Sequence, residues 1–144
     1  MGGSGGGGGF SSSDMSKMQE AADARLKALA SKSTKVLFVC ETVDRKSLNS
    51  HLARSKAFKK GRVAVIDASE ANKIDNELDS STFLVAFTDD TKSAAFIDTV
   101  IDKVLVRKIG GVHVQSHSKA FIPSKITAYR WRSITWDELE AIFS

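Results

Sequence analysis

Short apolar runs alternate with segments of helical periodicity along most of the chain. The clearest example begins at residues 82–87, a continuous β-branched and aromatic run that is followed by polar residues. A short run that is apolar on both alternating faces is typical of a parallel strand covered on both sides. From Lys92 onward apolar residues recur at three- and four-residue spacing, which predicts a helix over 92–105 that packs back onto the sheet.

The same pattern predicts a complete set of strands and helices. We expect strands over 35–40, 62–66, 82–87, 112–114 and 127–131, with the last at a sheet edge, and helices over 13–31, 47–58, 71–78, 92–105 and 136–143. Thr135 is the expected N-cap of the final helix. Strands that alternate with short helices require right-handed crossovers and parallel pairing, so 2-1-3-4-5 is the simplest strand order. The prediction is an α/β, three-layer sandwich around a mostly parallel sheet of four or five strands.

The length favours one folded unit. A chain of 144 residues with 42% hydrophobic content can bury one core and is short for two. Residues 1–12 are rich in Gly and Ser and predict a flexible leader, residues 13–31 predict a helix, and residues 34–144 form the α/β domain. The leading helix either docks on the core or mediates self-association.

Composition also bears on where the chain acts. No apolar run approaches the roughly 20 residues that a membrane-spanning helix needs, and the N-terminus lacks the apolar segment of a signal peptide. We therefore expect a cytoplasmic protein without membrane contact. The single cysteine, Cys40, excludes an internal disulfide, and its place at the end of an apolar strand predicts a small buried side chain.

The net charge of +4 is mild, but it is unevenly distributed. Basic residues cluster at 54–62 and in the C-terminal third, whereas acidic residues form a block over 67–79. Basic clusters permit nucleic-acid binding, but the interleaved aromatic residues of a single-strand binder are weakly represented. Opposite patches that meet in a homotypic contact are the favoured interpretation, and nucleic acid is an unlikely partner.

Standard cofactor and metal motifs are not found. Gly110 and Gly111 precede a predicted strand instead of opening a helix, which disfavours a Rossmann-type dinucleotide site. His113 and His117 are four residues apart on a strand that leads into a loop, so we expect no metal site there. Cys40 and His51 are a weak candidate for a nucleophile and base, and a packed neutral histidine is the favoured alternative.

Carboxylates at the strand ends are the better candidates for chemistry. Glu41, Asp44, Asp67, Asp89 and Asp90 all follow or end predicted strands and are therefore expected at one edge of the sheet. Acidic groups there could meet a sugar hydroxyl or a ribosyl cation. The alternative is that they cap the helices that follow.

Several segments between Lys35 and Ile142 resemble, in pattern and order, the small bacterial TIR-like domains of antiphage defence, including the Thoeris systems. KVLFVCETVD resembles the opening strand and loop of that family, SLNSHLARSKAF its first helix, VIDASEANKIDNELDSSTFLVAFTDDTKS its middle and GGVHV its fourth strand. The Gly-rich leader and the closing Trp-Asp-Glu-Leu helix are also similar. The resemblance implies a flavodoxin-like sheet, assembly through surfaces beside the site and, in active members, cleavage of NAD at the nicotinamide bond.

One motif departs from the family. Active members carry a Ser, then an aromatic residue, then one helical turn later a Glu that contacts the ribose. Here Ser93 is followed by Phe96, but the position one turn on is Val100, and the nearest acids are Asp98 and Asp102. The missing carboxylate would stabilise positive charge on the ribose, an effect that can exceed about 100-fold. The resemblance therefore implies ligand binding and assembly more than catalysis.

These expectations lead to a ranked set of functions. The first is a TIR-like signalling and assembly domain that acts as a homo-oligomer or filament, or through an effector protein. The alternatives are an NAD-cleaving enzyme that uses Asp98 and Glu41, and a nucleic-acid-binding α/β module; a receiver domain is disfavoured because residues 82–87 do not end in Asp. No tightly bound cofactor is expected, and NAD is the candidate substrate. The predicted ligand-binding residues are Thr42, Asp44, Asp67, Ser69, Thr88, Asp89, Asp90, Ser93 and Phe96.

Overall fold

The computed structural model describes residues 12–58 and 63–143. Within them, five parallel strands form one sheet in the order 2-1-3-4-5. The strands are β1 (Lys35–Cys40), β2 (Val63–Asp67), β3 (Thr82–Thr88), β4 (Gly111–Gln115) and β5 (Ser133–Thr135). The helices are α1 (Ser12–Lys32), α2 (Arg45–Arg54), α3 (Ile74–Glu77), α4 (Ala95–Val106), α5 (Ser124–Ala128) and α6 (Trp136–Phe143). The predicted α/β class, flavodoxin-like layering and strand order are confirmed.

Helices cover both faces of the sheet, so each face has its own core. On one face α1, α2 and α6 pack over side chains that include Phe38, Phe83 and Phe87. On the other, α3, α4 and α5 pack over Leu37 and Leu84. All seven residues of β3 are buried, which explains why its sequence is apolar at consecutive positions.

The fifth strand was predicted in the wrong place. Residues 127–131 do not form a strand: residues 124–128 form α5, and β5 follows at residues 133–135. Pro123 fits the start of a helix because it needs no backbone N–H there, and Arg130 ends the turn with a φ of 57°. Trp131 then lies over Gly111 instead of pairing in the sheet.

Several helix boundaries also differ from the prediction. α2 begins at Arg45 and ends at Arg54, because Ser55 has extended backbone and its hydroxyl accepts the N–H of Phe58. The segment predicted as a helix over 71–78 is a 3-10 turn, Ala68–Lys73, followed by the short α3. α4 begins at Ala95, three residues later than predicted.

The leading helix docks on the domain. Leu26 and Ala30 are buried in the core that α6 completes, and Asp23 forms an ion pair with Arg132. Docking on the core is therefore the alternative that the structure supports. Apart from Ser12, the predicted leader lies outside the described residues, as does Arg62, the first residue predicted for the second strand. None of the described helices has the length and apolar character required to cross a membrane.

The final helix begins as predicted. The Thr135 hydroxyl accepts the backbone N–H of Glu138 at 3.2 Å, and the Glu138 carboxylate accepts the N–H of Thr135 at 3.1 Å. This reciprocal pair is a capping box. It fixes the turn at which β5 enters α6, on the sheet edge where the strands end.

Candidate functional site

The carboxyl ends of the inner strands bring the predicted acidic residues to one edge of the sheet. Cys40, the last residue of β1, pairs with Asp67 of β2, and Val39 pairs with Ala86 of β3. Glu41 therefore follows directly beside Asp67, and Asp89 follows the next strand. Open parallel sheets bind their ligands at this edge.

Asp44 is the most deeply buried of these carboxylates, at 1% exposure. Its two oxygens accept the backbone N–H groups of Asp89 at 3.0 Å, Asp90 at 2.8 Å and Thr91 at 3.2 Å. A carboxylate with three N–H donors is well satisfied in the absence of bulk water. Asp44 thus holds the loop after β3 in place.

Glu41 has a related task at the start of α4. Its Oε2 accepts the N–H of Ile97 at 3.0 Å, which satisfies one of the unpaired donors in the first turn of that helix. Burial raises the pKa of Glu41 above its ordinary value, although the N–H groups of Ile97 and Phe96 act in the opposite direction. The side chain is a helix cap contributed by the loop after β1.

Asp67 is also a cap. Its Oδ1 accepts the N–H of Ser69 at 2.8 Å and the Ser69 hydroxyl, and Glu70 completes a capping box. Arg45 donates to both Asp67, at 2.9 Å, and Glu70, at 2.6 Å. Burial raises the pKa of Asp67, but the bonds from Ser69 and Arg45 outweigh it and leave the pKa lowered.

The remaining predicted residues lie in diverse surroundings. Asp98 accepts the Ser124 hydroxyl and the Lys125 N–H, both at 3.0 Å, so it caps α5. Phe96 is 8% exposed and belongs to the core under α4. The predicted residues that are exposed are Thr42, Ser69, Asp90 and Ser93.

Thr88 is fully buried and bonds to a buried histidine. Its Oγ1 lies 2.8 Å from His113 Nε2, and the other ring nitrogen, Nδ1, lies 2.8 Å from the Ser133 hydroxyl. This chain of hydrogen bonds crosses β3, β4 and β5. Burial lowers the pKa of His113 to about 4, so the ring is neutral at physiological pH.

Cys40 and His51 do not act as a nucleophile and base. Cys40 is fully buried, and burial, together with Asp67, raises its pKa to about 12. A thiol in such surroundings is inert. His51 donates from Nδ1 to the Ser47 carbonyl at 2.9 Å and packs against Trp136, with the ring centroids 4.9 Å apart.

Asp89 lies where the loop after β3 meets the loop after β4. Its Oδ1 accepts the Ser116 hydroxyl and lies 3.3 Å from His117 Nε2. Burial raises the pKa of Asp89, but the hydroxyls of Ser116 and Ser47 and the nearby histidines lower it overall. Asp90 stands beside it with an exposed side chain.

A groove of about 620 Å³ opens at the same edge, between α2 and α6. The strand ends contribute the hydroxyls of Ser116 and Thr135 to it. The wall formed by the end of α2 and the residues after it carries the basic side chains His51, Arg54 and Lys56. The wall formed by α6 carries Trp136, Asp137 and Glu140. A smaller pocket of about 310 Å³ lies at the opposite end of the sheet, beside the first residues of β1 and β2.

The two walls of the groove differ in whether their charged side chains have hydrogen-bond or ion-pair partners within the described residues. Glu140 accepts the Trp136 indole N–H at 2.8 Å and the Ala57 N–H at 3.2 Å. Within residues 12–58 and 63–143, neither Arg54 nor Lys56 forms an ion pair, and both are exposed. The unpaired cations make the groove suitable for an anionic group.

The groove was not predicted from the sequence. Its strand-end hydroxyls, Ser116 and Thr135, immediately follow or end β4 and β5. The sequence pattern predicts Thr135 as a helix N-cap but places the fifth strand at 127–131, which separates Thr135 from the end of that strand. With β5 at Ser133–Thr135, the same residue both ends a strand and begins a helix, which is the signal for the carboxyl edge.

The fold and site together define a small α/β domain with a polar groove at the carboxyl edge of its sheet. No protein-family model matches the chain, and no curated protein matches its sequence.

Proposed function

We propose that the chain is a TIR-like signalling and assembly domain that binds a nucleotide-type ligand in the groove between α2 and α6. The observation that carries the proposal is the pair of exposed cations, Arg54 and Lys56, which line that groove together with two strand-end hydroxyls and form no ion pair within the described part of the chain. The TIR-like assignment and its setting in antiphage defence come from the sequence resemblance. Transmission of the signal would occur through contacts with further copies or with an effector protein.

The chemistry of the groove suits a phosphate-bearing ligand. Arg and Lys are the side chains that bind phosphate oxygens most strongly. The hydroxyls of Ser116 and Thr135 donate their protons to Asp89 and Glu138, so their oxygens can accept a hydrogen bond from a ligand hydroxyl such as that of a ribose. Trp136 lines the groove beside the cations, and its ring is held in place by packing against Phe38 and His51.

The carboxylates favour binding over cleavage. Glu41 and Asp98, the two candidates for a role at the ribose, each accept backbone N–H groups at the start of a helix. One oxygen of each carboxylate is therefore engaged by a backbone N–H, and removing a cap costs about 1 kcal/mol. We therefore propose that NAD, if bound, is a ligand and is not consumed.

The experiment is a binding titration with NAD and with ADP-ribose, followed by calorimetry and by nicotinamide release. We expect saturable binding without nicotinamide formation, and a loss of at least tenfold in affinity for the double variant Arg54→Ala, Lys56→Ala. The matched control is Arg25→Ala, Lys27→Ala, which removes two exposed positive charges from α1. Absence of binding, or an equal loss in the control, would contradict the proposal.

Two further outcomes separate the alternatives. Nicotinamide release that is abolished by Asp98→Ala would establish the enzyme instead of the binding domain. Tight binding of a single-stranded oligonucleotide, weakened equally by the Arg54 and Lys56 variant, would favour the nucleic-acid module. Light scattering with and without the bound nucleotide tests assembly, for which we expect a ligand-dependent increase in mass.

A further inference from the structure

We propose that Asp89, Asp90 and His117 form a binding site for a divalent transition-metal ion such as Zn²⁺. One ligand atom from each residue lies within 4.8 Å of the other two. The proposal concerns a different set of residues from the nucleotide groove and does not depend on it.

The site is built from two loops that the sheet brings together. Asp89 and Asp90 follow β3, and His117 lies two residues beyond β4, the neighbouring parallel strand. The backbone of Asp89 and Asp90 is fixed by the buried carboxylate of Asp44. The loop that carries both acidic ligands is therefore held in place before any ion binds.

The imidazole is also positioned toward the acids. The backbone N–H of Lys119 donates to His117 Nδ1 at 3.2 Å, so Nε2 carries the ring proton and lies 3.3 Å from Asp89 Oδ1. An ion would replace that proton at Nε2. The ring proton would then move to Nδ1, and the exposed Lys119 N–H would turn to water.

Only a small contraction is needed to complete the site. Zn²⁺ lies about 2.0–2.2 Å from nitrogen and carboxylate ligands, which places tetrahedral ligand atoms about 3.4 Å apart. The side chains of Asp90 and His117 are exposed and can close the remaining distance. Three protein ligands leave one position open to water or to a ligand oxygen.

The ligand types indicate which ions should bind. One imidazole with two carboxylates suits transition ions such as Zn²⁺, whereas Mg²⁺ and Ca²⁺ prefer oxygen ligands alone. Ser116 donates its hydroxyl to Asp89 and also lines the nucleotide groove. A bound ion would therefore lie next to the end of that groove.

The test is calorimetric titration of the full chain with ZnCl₂ and, separately, with MgCl₂. We expect one saturable Zn²⁺ site per chain and no Mg²⁺ binding at the same concentrations. His117→Ala and Asp90→Asn should each weaken Zn²⁺ at least tenfold, and thermal unfolding should confirm that both variants fold, because these side chains are exposed. The control Glu20→Gln removes an exposed carboxylate from α1, away from the cluster, and should retain full affinity.

Each outcome bears on the proposal. Absence of a saturable site, unchanged affinity in His117→Ala, or an equal loss in Glu20→Gln would overturn it. The Arg54→Ala, Lys56→Ala variant should bind Zn²⁺ normally, so failure of the nucleotide groove leaves the metal site standing. The visible absorption of bound Co²⁺, which differs between tetrahedral and octahedral coordination, provides an independent view of the ligand geometry.

Discussion

His113 should make the protein lose stability as the pH falls from 6.5 to 4. The ring is fully buried between the Thr88 and Ser133 hydroxyls, and burial lowers its pKa from 6.5 to about 4. Above pH 6.5 the ring is neutral in both states, so it adds no pH dependence. Between pH 6.5 and 4 the unfolded chain binds the proton and the folded chain does not, which favours unfolding.

The size of this effect follows from the two pKa values. At 1.36 kcal/mol per pKa unit, the interval from 6.5 to about 4 corresponds to about 3 kcal/mol. Most of this, about 2.5 kcal/mol, should be lost between pH 7 and pH 4.5. That loss is a large fraction of the 5–15 kcal/mol that typically stabilises a domain.

Urea unfolding at several pH values can isolate the contribution of His113. The variant His113→Gln retains groups that can bond to both hydroxyls but does not titrate, so its free energy of unfolding should fall about 2.5 kcal/mol less over the same interval. Titration of the His113 ring signals by NMR gives a second measure, and we expect no proton uptake above about pH 5. Parallel pH curves for the two proteins, or a ring that titrates near pH 6.5, would refute the reasoning.

Four other substitutions, one of them a control, test the packing and the caps. Asp44→Asn should lower the free energy of unfolding by about 2–4 kcal/mol, measured in urea, because a single amide oxygen cannot accept the three N–H groups that the carboxylate holds. Gly111→Ala should lower the free energy of unfolding by about 2–3 kcal/mol because the new Cβ would lie 2.5 Å from the Trp131 ring. The control Gly110→Ala meets only the flexible Leu29 side chain, at 3.0 Å, and should cost well under ~1 kcal/mol. Equal urea midpoints for the two variants would contradict the close packing of Trp131 on Gly111. Asp98→Ala should cost about 1 kcal/mol through loss of the α5 cap, and an unchanged melting temperature would argue against that role.

The sequence predicted the fold well because the relevant signals are local. Apolar runs such as the one in β3 and the helical spacing in α4 depend on near neighbours alone. The fifth strand was the exception: β5 has only three residues, too few for a pattern, while Tyr129 and Trp131 imitate the alternation of an edge strand. In the structure Trp131 packs over Gly111 instead of lying in an edge strand, a tertiary contact that the local pattern does not contain.

The candidate site was predicted less completely because its contacts connect distant parts of the chain. Parallel pairing was enough to place Glu41, Asp67 and Asp89 on one edge. Their individual roles depend on partners far away in sequence: Asp44 and the N–H of Asp89, for example, are separated by 45 positions in the sequence. The convergence of His117 on Asp89 likewise requires the register of β3 against β4.

The bonds from Glu41 and Asp44 also couple two loops mechanically. The loop after β3 and the first turn of α4 both have hydrogen-bond acceptors in the loop after β1, so a displacement of that loop disturbs both segments. Amide hydrogen exchange at Asp90 and Ile97 should therefore slow or quicken together. A partner that binds and displaces the loop after β1 would therefore also displace the start of α4, on the other side of that loop.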